Sequence, residues 1–260
     1  MKLNLQHILN DYYDEEKQRE NKKLVKSVYF DADLNSSIKW IKKNSIVDKN
    51  NLIYRGLGNA GAEAIYARPS KHKRKSANTQ NYYTTILDNI PSWKEYPKRS
   101  KSLICSTSYK RATSYSDFNS PYVVFPQVGA KFGICSEYDF WDSFQNLIYG
   151  DIANFNYYIM NHTEIGIYEN AENDFKLLCK LLNQPENKYC FDELRSFFKL
   201  KNTATKAAGF FNDVFNPKLN GFKLETYPFK TTENVEVWTD SDAVLLSYDI
   251  YKELMENGEL

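Results

Sequence analysis

Long apolar runs are missing from this chain of 260 residues. The longest, such as 122–126 and 243–246, fall far short of the roughly 20 residues that span a bilayer, so no membrane partner is expected. Residues 1–12 are mixed polar with a helical period and lack the apolar centre and small-residue cleavage site of a secretion signal, which points to a cytoplasmic protein. Histidine is scarce and scattered, at His7, His72 and His162, and the four cysteines, Cys105, Cys135, Cys179 and Cys190, contain no C-x-x-C pair. Metal-ligand spacing is therefore absent, structural zinc is not expected, and a Ser-His-Asp or Cys-His triad has little to draw on. An excess of one charge is missing too, because 34 basic residues offset 33 acidic ones to leave +1. No global field gathers a polyanion, and any polyanion site must be local. Catalysis on this chain has to run on carboxylates, arginines and hydroxyls.

What is present reads as α+β. Leu3, Leu5, Ile8, Leu9 and Tyr12 recur at helical spacing ahead of a charged run at 14–23, and Ser36 and Ser37 precede Ile38, Trp40, Ile41 and Ile46 as a serine-capped second helix. Residues 1–50 are thus expected to form an N-terminal helical segment, and 51–260 the main domain. Short β-type runs follow at 52–56, 103–108, 122–126 and 131–135, and again at 221–230, 233–238 and 243–247. Between 67 and 99 lie Pro69, Pro91, Pro97 and the cluster Lys71-His72-Lys73-Arg74-Lys75, which reads as a long loop with or without a helix. From 137 to 215 the period turns helical, through Leu177, Leu178, Leu181, Phe191, Leu194, Phe210 and Phe211, and predicts a helical insertion over about 145–220. Strands on both sides of a helical block favour α+β over a regular βαβ repeat.

Three motifs end or occupy these strands: Tyr54-Arg55-Gly56, then Ser106-Thr107-Ser108, then Asn234-Val235-Glu236-Val237. An arginine fork suits phosphates and ribose because it donates several charge-assisted hydrogen bonds. Serine and threonine at a strand end supply short hydroxyl donors. A carboxylate can hold a ribose hydroxyl and stabilise the positive charge of an oxocarbenium-like state. Taken singly each motif has a plainer explanation: a turn with a surface arginine, a common turn string, and a solvated strand face. Their order and strand context are what give them weight.

That order resembles the Arg-Ser-Glu class of mono-ADP-ribosyltransferases. A further likeness, to phage- and prophage-associated proteins of transferase type, runs through Arg68-Pro69, Trp93, Arg99-Ser100-Lys101-Ser102, Ser106-Thr107-Ser108, Ala112, Tyr115, 122–126 and Ser136-Glu137-Tyr138-Asp139 to Glu236-Val237. The resemblance implies a core of two small packed β-sheets and NAD as substrate, with no metal. It implies that Arg55 and Gly56 bind NAD, that Ser106, Thr107 and Ser108 shape the nicotinamide pocket, that Tyr115 stacks on nicotinamide, and that Glu236 is catalytic. It further implies a toxin or phage-defence effector, which needs an antitoxin or inhibitor protein in its own cell. One position departs from the family: protein-arginine transferases place Glu or Gln two residues before the catalytic Glu, where this chain has Asn234. Since that position helps select the acceptor, Asn234 leaves nucleic acid, another side chain or plain NAD hydrolysis open.

Lys71, Lys73, Arg74 and Lys75, followed by Tyr82, Tyr83 and Trp93, combine basic residues with aromatics in a manner suited to single-stranded RNA or DNA, although such a run is more often a solvated loop. Glu137 and Asp139 read as acidic residues at a helix start, and Glu233 as pointing to the strand face opposite Glu236. A non-catalytic nucleotide- or peptide-binding module and a phage structural protein are the readings from other classes.

Overall fold

The structure, a computed structural model, describes residues 29–58, 61–71, 73–74, 81–116, 120–144, 173–196, 204–230 and 234–260. Its framework is β1 (Tyr29–Asp31), β2 (Ile53–Arg55), β3 (Ala64–Ala67), β4 (Leu103–Ser106), β5 (Tyr122–Pro126), β6 (Lys131–Ile134), β7 (Lys223–Thr226), β8 (Glu236–Thr239) and β9 (Ala243–Ser247). These pair antiparallel in the order β1-β3-β9-β5-β2-β4-β8-β6-β7. The expected α+β class holds, but in place of two small sheets the described strands make one. The reason is local. β2 pairs with β5 along its length, Ile53↔Val124 to Arg55↔Tyr122, and on its other edge meets β4 at Tyr54↔Ser106. That bridge makes one sheet of two halves.

Alternation explains why most strands read as unbroken apolar runs. Tyr122, Val124, Ala243, Leu245, Leu103, Cys105 and Val237 enter one cluster, while their neighbours Val123, Phe125, Val244, Leu246, Ile104 and Trp238 enter others. A strand buried on both faces has no polar side to show. The shared cluster draws on both halves. The opposite face is covered at one end by α1 (Leu34–Asn44) and α7 (Tyr248–Glu256). At the other end lies a helical block of α2 (Tyr82–Asn89), α4 (Phe175–Leu182), α5 (Lys188–Ser196) and α6 (Ala207–Val214). Short α3 (Tyr109–Thr113) follows β4.

Several expectations need correction. Residues 1–28 lie outside the described residues, but 29–31, placed in a helical segment, form an edge strand against β3. Helix α1 begins earlier than the serines suggest, because Asp33 is its N-cap and accepts from the Ser36 backbone N–H at 2.7 Å. The stretch 67–99 holds α2, and Tyr82, Tyr83 and Trp93 are not stacking surfaces. All three are buried, and Trp93 Nε1 donates to the Phe215 carbonyl at 2.6 Å. Helix α2 is buried from Tyr82 through Leu87, as a helix inside a core is, and Trp93 in the short turn after it joins the same cluster. No helix spans 137–143, which forms turns instead, so Glu137 and Asp139 have no dipole to serve. Glu233 lies outside the described residues, as does most of the first half of the expected insertion, 145–172.

Trp238 occupies the centre of the helical block's core and lies flat over Gly133. A Cβ on Gly133 would come within 2.1 Å of the indole. Gly133→Ala is therefore expected to lower stability by about 1–3 kcal/mol, the usual cost of overpacking. Urea unfolding followed by tryptophan fluorescence measures it, and an unchanged midpoint would refute the packing described.

Candidate functional site

The two halves of the sheet part immediately beyond the Tyr54↔Ser106 bridge. Ser106 is in turn opposite Glu236 on β8, so the ends of β2 and β4 and the start of β8 lie side by side. There they open a cavity of about 250 Å³. Its lining includes Arg55, Gly56, Ser106, Tyr115 and Glu236 from the sequence motifs, together with Arg74, Arg99, Arg111, Tyr138 and Asp139.

Each motif has a local reason for its position. Gly56 lies under α3: a Cβ there would be 2.1 Å from the Ala112 carbonyl oxygen and 2.8 Å from the Tyr115 backbone, so only glycine lets the helix approach β2. The three hydroxyls of 106–108 serve the backbone. Ser106 Oγ accepts from the Ser108 N–H at 3.0 Å, and Ser108 Oγ caps α3 by accepting from the Arg111 N–H at 3.3 Å. Thr107 extends the β4–β8 pairing, donating its N–H to the Val235 carbonyl and accepting the Val235 N–H on Oγ1, both at 3.0 Å. Ser106 alone of the three lines the cavity. Asn234, just ahead of β8, is exposed and does not line it. Tyr115 and Tyr138, 52% and 51% exposed, flank Arg111, whose guanidinium lies 4.7 Å from the Tyr138 ring and 3.8 Å from the Asp139 carboxylate.

Glu236 is held by Arg99, which donates from Nη1 to Oε1 at 2.8 Å; the two side chains are 15% and 11% exposed. Arg99 is itself fixed. Its guanidinium sits 3.9 Å over Phe140 and 5.1 Å over Trp238, and the Trp238 indole N–H donates to the Pro97 carbonyl at 2.9 Å. Cation–π contact of a shielded guanidinium adds to the ion pair. Arg55 donates to the Ile104 carbonyl at 2.7 Å. Arg74 is anchored beside Arg99 by its own N–H, which donates to the Ser100 carbonyl at 2.6 Å. Burial first, then the neighbouring charges of Arg99 and Arg55, press the Arg74 pKa down to about 10, which leaves it charged at neutral pH.

The basic run is thus divided. Arg74 lines the cavity, Lys71 and Lys73 are exposed, and Lys75 lies outside the described residues. Arg99, Tyr138 and Asp139 entered the sequence reading only through the resemblance, Asp139 also as a helix-start acid, and Arg111 not at all; none was placed at the site, since nothing in the string of charges separates Arg99 from Lys98 or Lys101. Among the described residues no group of His, Cys, Asp or Glu could hold a metal ion, and no helix is long and apolar enough to cross a membrane. Comparison of the chain with known protein families, curated proteins and solved structures finds no match.

The cavity can stabilise an anion on its arginines and a developing cation beside Glu236. Thiol nucleophilic chemistry has no support: burial pushes Cys105, the cavity's cysteine, up to about 12. All four cysteines are free and buried. In the native protein at pH 8, fewer than about one thiol should react promptly with a disulfide reagent, with the rest released on denaturation; prompt labelling of Cys105 would contradict this. Removing Arg99 leaves a nearly buried carboxylate without its cation. Arg99→Ala is expected to cost about 2–4 kcal/mol, and Arg99→Ala with Glu236→Gln less than the sum of the single losses. Strictly additive losses in urea unfolding would show that the pair is not coupled.

Proposed function

We propose that this cavity binds NAD and that the chain is a mono-ADP-ribosyltransferase. The observation that carries the proposal is that Arg55, Ser106 and Glu236, far apart in sequence, line one cavity at the sheet junction. Glu236 sits beside the nicotinamide ribose and accepts a hydrogen bond from a ribose hydroxyl on Oε2, while Arg99 engages Oε1. Arg55 faces the phosphate side, and Ser106 and Tyr115 border the nicotinamide. At about 250 Å³ the cavity is just under the range usual for a drug-sized ligand, so a dinucleotide extends past its mouth. In the reaction the bond between ribose C1′ and the nicotinamide nitrogen breaks, and its electron pair leaves with nicotinamide. The carboxylate stabilises the oxocarbenium-like sugar, and a lone pair of the acceptor closes on C1′ as the acceptor's proton passes to solvent.

The acceptor is a macromolecule, nucleic acid before protein and RNA before DNA. Supporting this are the exposed Lys71 and Lys73 and the shorter Asn234 that stands where protein-arginine transferases carry Glu or Gln. The setting is that of a toxin or phage-defence effector restrained by an inhibitor protein. Incubating the purified chain with labelled NAD, then separating RNA, DNA and protein, tests it. Label on the nucleic acid that drops by roughly a hundredfold or more in Glu236→Gln is expected, on the scale of losing one transition-state contact. Nicotinamide release with no labelled acceptor would make the chain an NAD glycohydrolase. No label and no nicotinamide from folded protein would leave a non-catalytic nucleotide-binding module.

A further inference from the structure

Arg55, Arg74 and Arg99 share a cavity in which the carboxylate nearest them, Glu236, is taken by Arg99. The other acid of the lining, Asp139, is drawn to Arg111. Among the described residues neither Arg55 nor Arg74 forms an ion pair. Arg55 has in addition a buried Nε with no hydrogen-bond partner, although its Nη1 is satisfied by Ile104. A buried guanidinium N–H left without an acceptor is a cost to the fold, even though Tyr29 and Glu236 nearby favour the charged form of Arg55 against its burial. Such a cost at a cavity wall is offset when an anion fills the space. The Arg74 pKa, pressed down first by burial and then by the charges of Arg99 and Arg55, fits the same geometry.

We infer that Arg55 and Arg74 together form a diphosphate site, which takes the bridging phosphates of a dinucleotide or free inorganic pyrophosphate. Two guanidinium forks from different parts of the chain, the end of β2 and the segment at 73–74, match two linked phosphates better than one, because each fork can engage its own pair of oxygens. The inference moves Arg74 from acceptor contact to cofactor recognition and leaves Lys71 and Lys73, exposed, as the residues a nucleic-acid backbone would meet. It rests on the NAD proposal only for the identity of the physiological dinucleotide.

Calorimetric titration of the full chain at low salt, first with inorganic pyrophosphate and then with ADP-ribose, tests it. Wild type should bind, and Arg74→Gln should weaken binding roughly tenfold to a hundredfold, the worth of a charge-assisted contact. Arg74→Lys, which keeps the charge but not the fork, should fall between them, and Lys188→Gln, at an exposed lysine of α5 that does not line the cavity, should leave the affinity within about twofold. Thermal unfolding without ligand confirms that each variant is folded, and Arg74→Lys carries the comparison if Arg74→Gln is not. Tighter binding of ADP-ribose than of pyrophosphate assigns the site to a dinucleotide, and the reverse assigns it to free pyrophosphate. The inference is overturned if wild type binds neither probe, if the Arg74 variants bind as wild type does, or if Lys188→Gln loses as much. Protein that binds both probes through Arg74 yet never consumes NAD would keep the diphosphate site and end the transferase proposal.

Discussion

Strand β2 is hydrogen-bonded along one edge to β5 and touches β4 on the other at Tyr54↔Ser106. Everything at the site follows from that uneven pairing. A fully zipped β2–β4 ladder would bring the halves of the sheet together and leave no room for side chains between them. A missing bridge would let the halves drift apart, and Arg55 could not reach the Ile104 carbonyl that fixes it. With one bridge the strands stay in register at Tyr54 and diverge just after it, and the residues beyond, Arg55 and Gly56, face a space. Gly56 then lets α3 close over that space, and the hydroxyls of Ser106, Thr107 and Ser108 tie the end of β4 to β8 and to α3.

Charge in this space is arranged unequally. The chain as a whole is almost neutral, at +1, yet four arginines line the cavity against two carboxylates. Burial raises the electrostatic weight of each of these groups over what it would have at the surface. Arg55 and Arg74 line the cavity without an ion pair among the described residues, while Glu236 is held by Arg99; on the proposed function the phosphates of NAD would meet the first two and the developing sugar cation the carboxylate. The NAD proposed above, with phosphates at one end and a glycosidic centre at the other, would suit such a distribution.

Much of the framework was legible in the amino-acid sequence. β2, β4, β5, β6, β8 and β9 all lie within apolar or β-branched runs, and the Arg55, Ser106 and Glu236 motifs mark the strands that meet at the cavity. β1 and β3 were not legible, because Tyr29–Asp31 ends in aspartate and leaves Phe30 and Asp31 exposed, and Ala64–Ala67 begins and ends in alanine, residues with little strand preference. Whether the strands make one sheet or two turns on the Tyr54↔Ser106 bridge, a feature with no compositional trace. Tyr82, Tyr83 and Trp93 follow a basic run and carry polar handles, so that core and surface look alike until the helical block is seen to cover them. Arg74 and Arg99 were hidden for the same reason in reverse: a string of basic residues gives no hint of which one turns inward.

The helical block has a part in the site that its position in the chain would not suggest. Phe140 and Trp238, which hold the Arg99 guanidinium between them, belong to the same cluster as Trp93, Phe144, Phe210, Phe211 and Phe222. Trp238 is also two residues along β8 from Glu236, on the same face of the strand, and Gly133 on β6 leaves it the room to lie flat. One aromatic core thus sets both the arginine and the strand that bears the carboxylate it binds. An exposed arginine would lose conformational entropy in pairing with Glu236 and return little in water. Held by rings that are themselves buried, Arg99 is ordered before any ligand arrives, so the position of the Glu236 carboxylate becomes a property of the core packing.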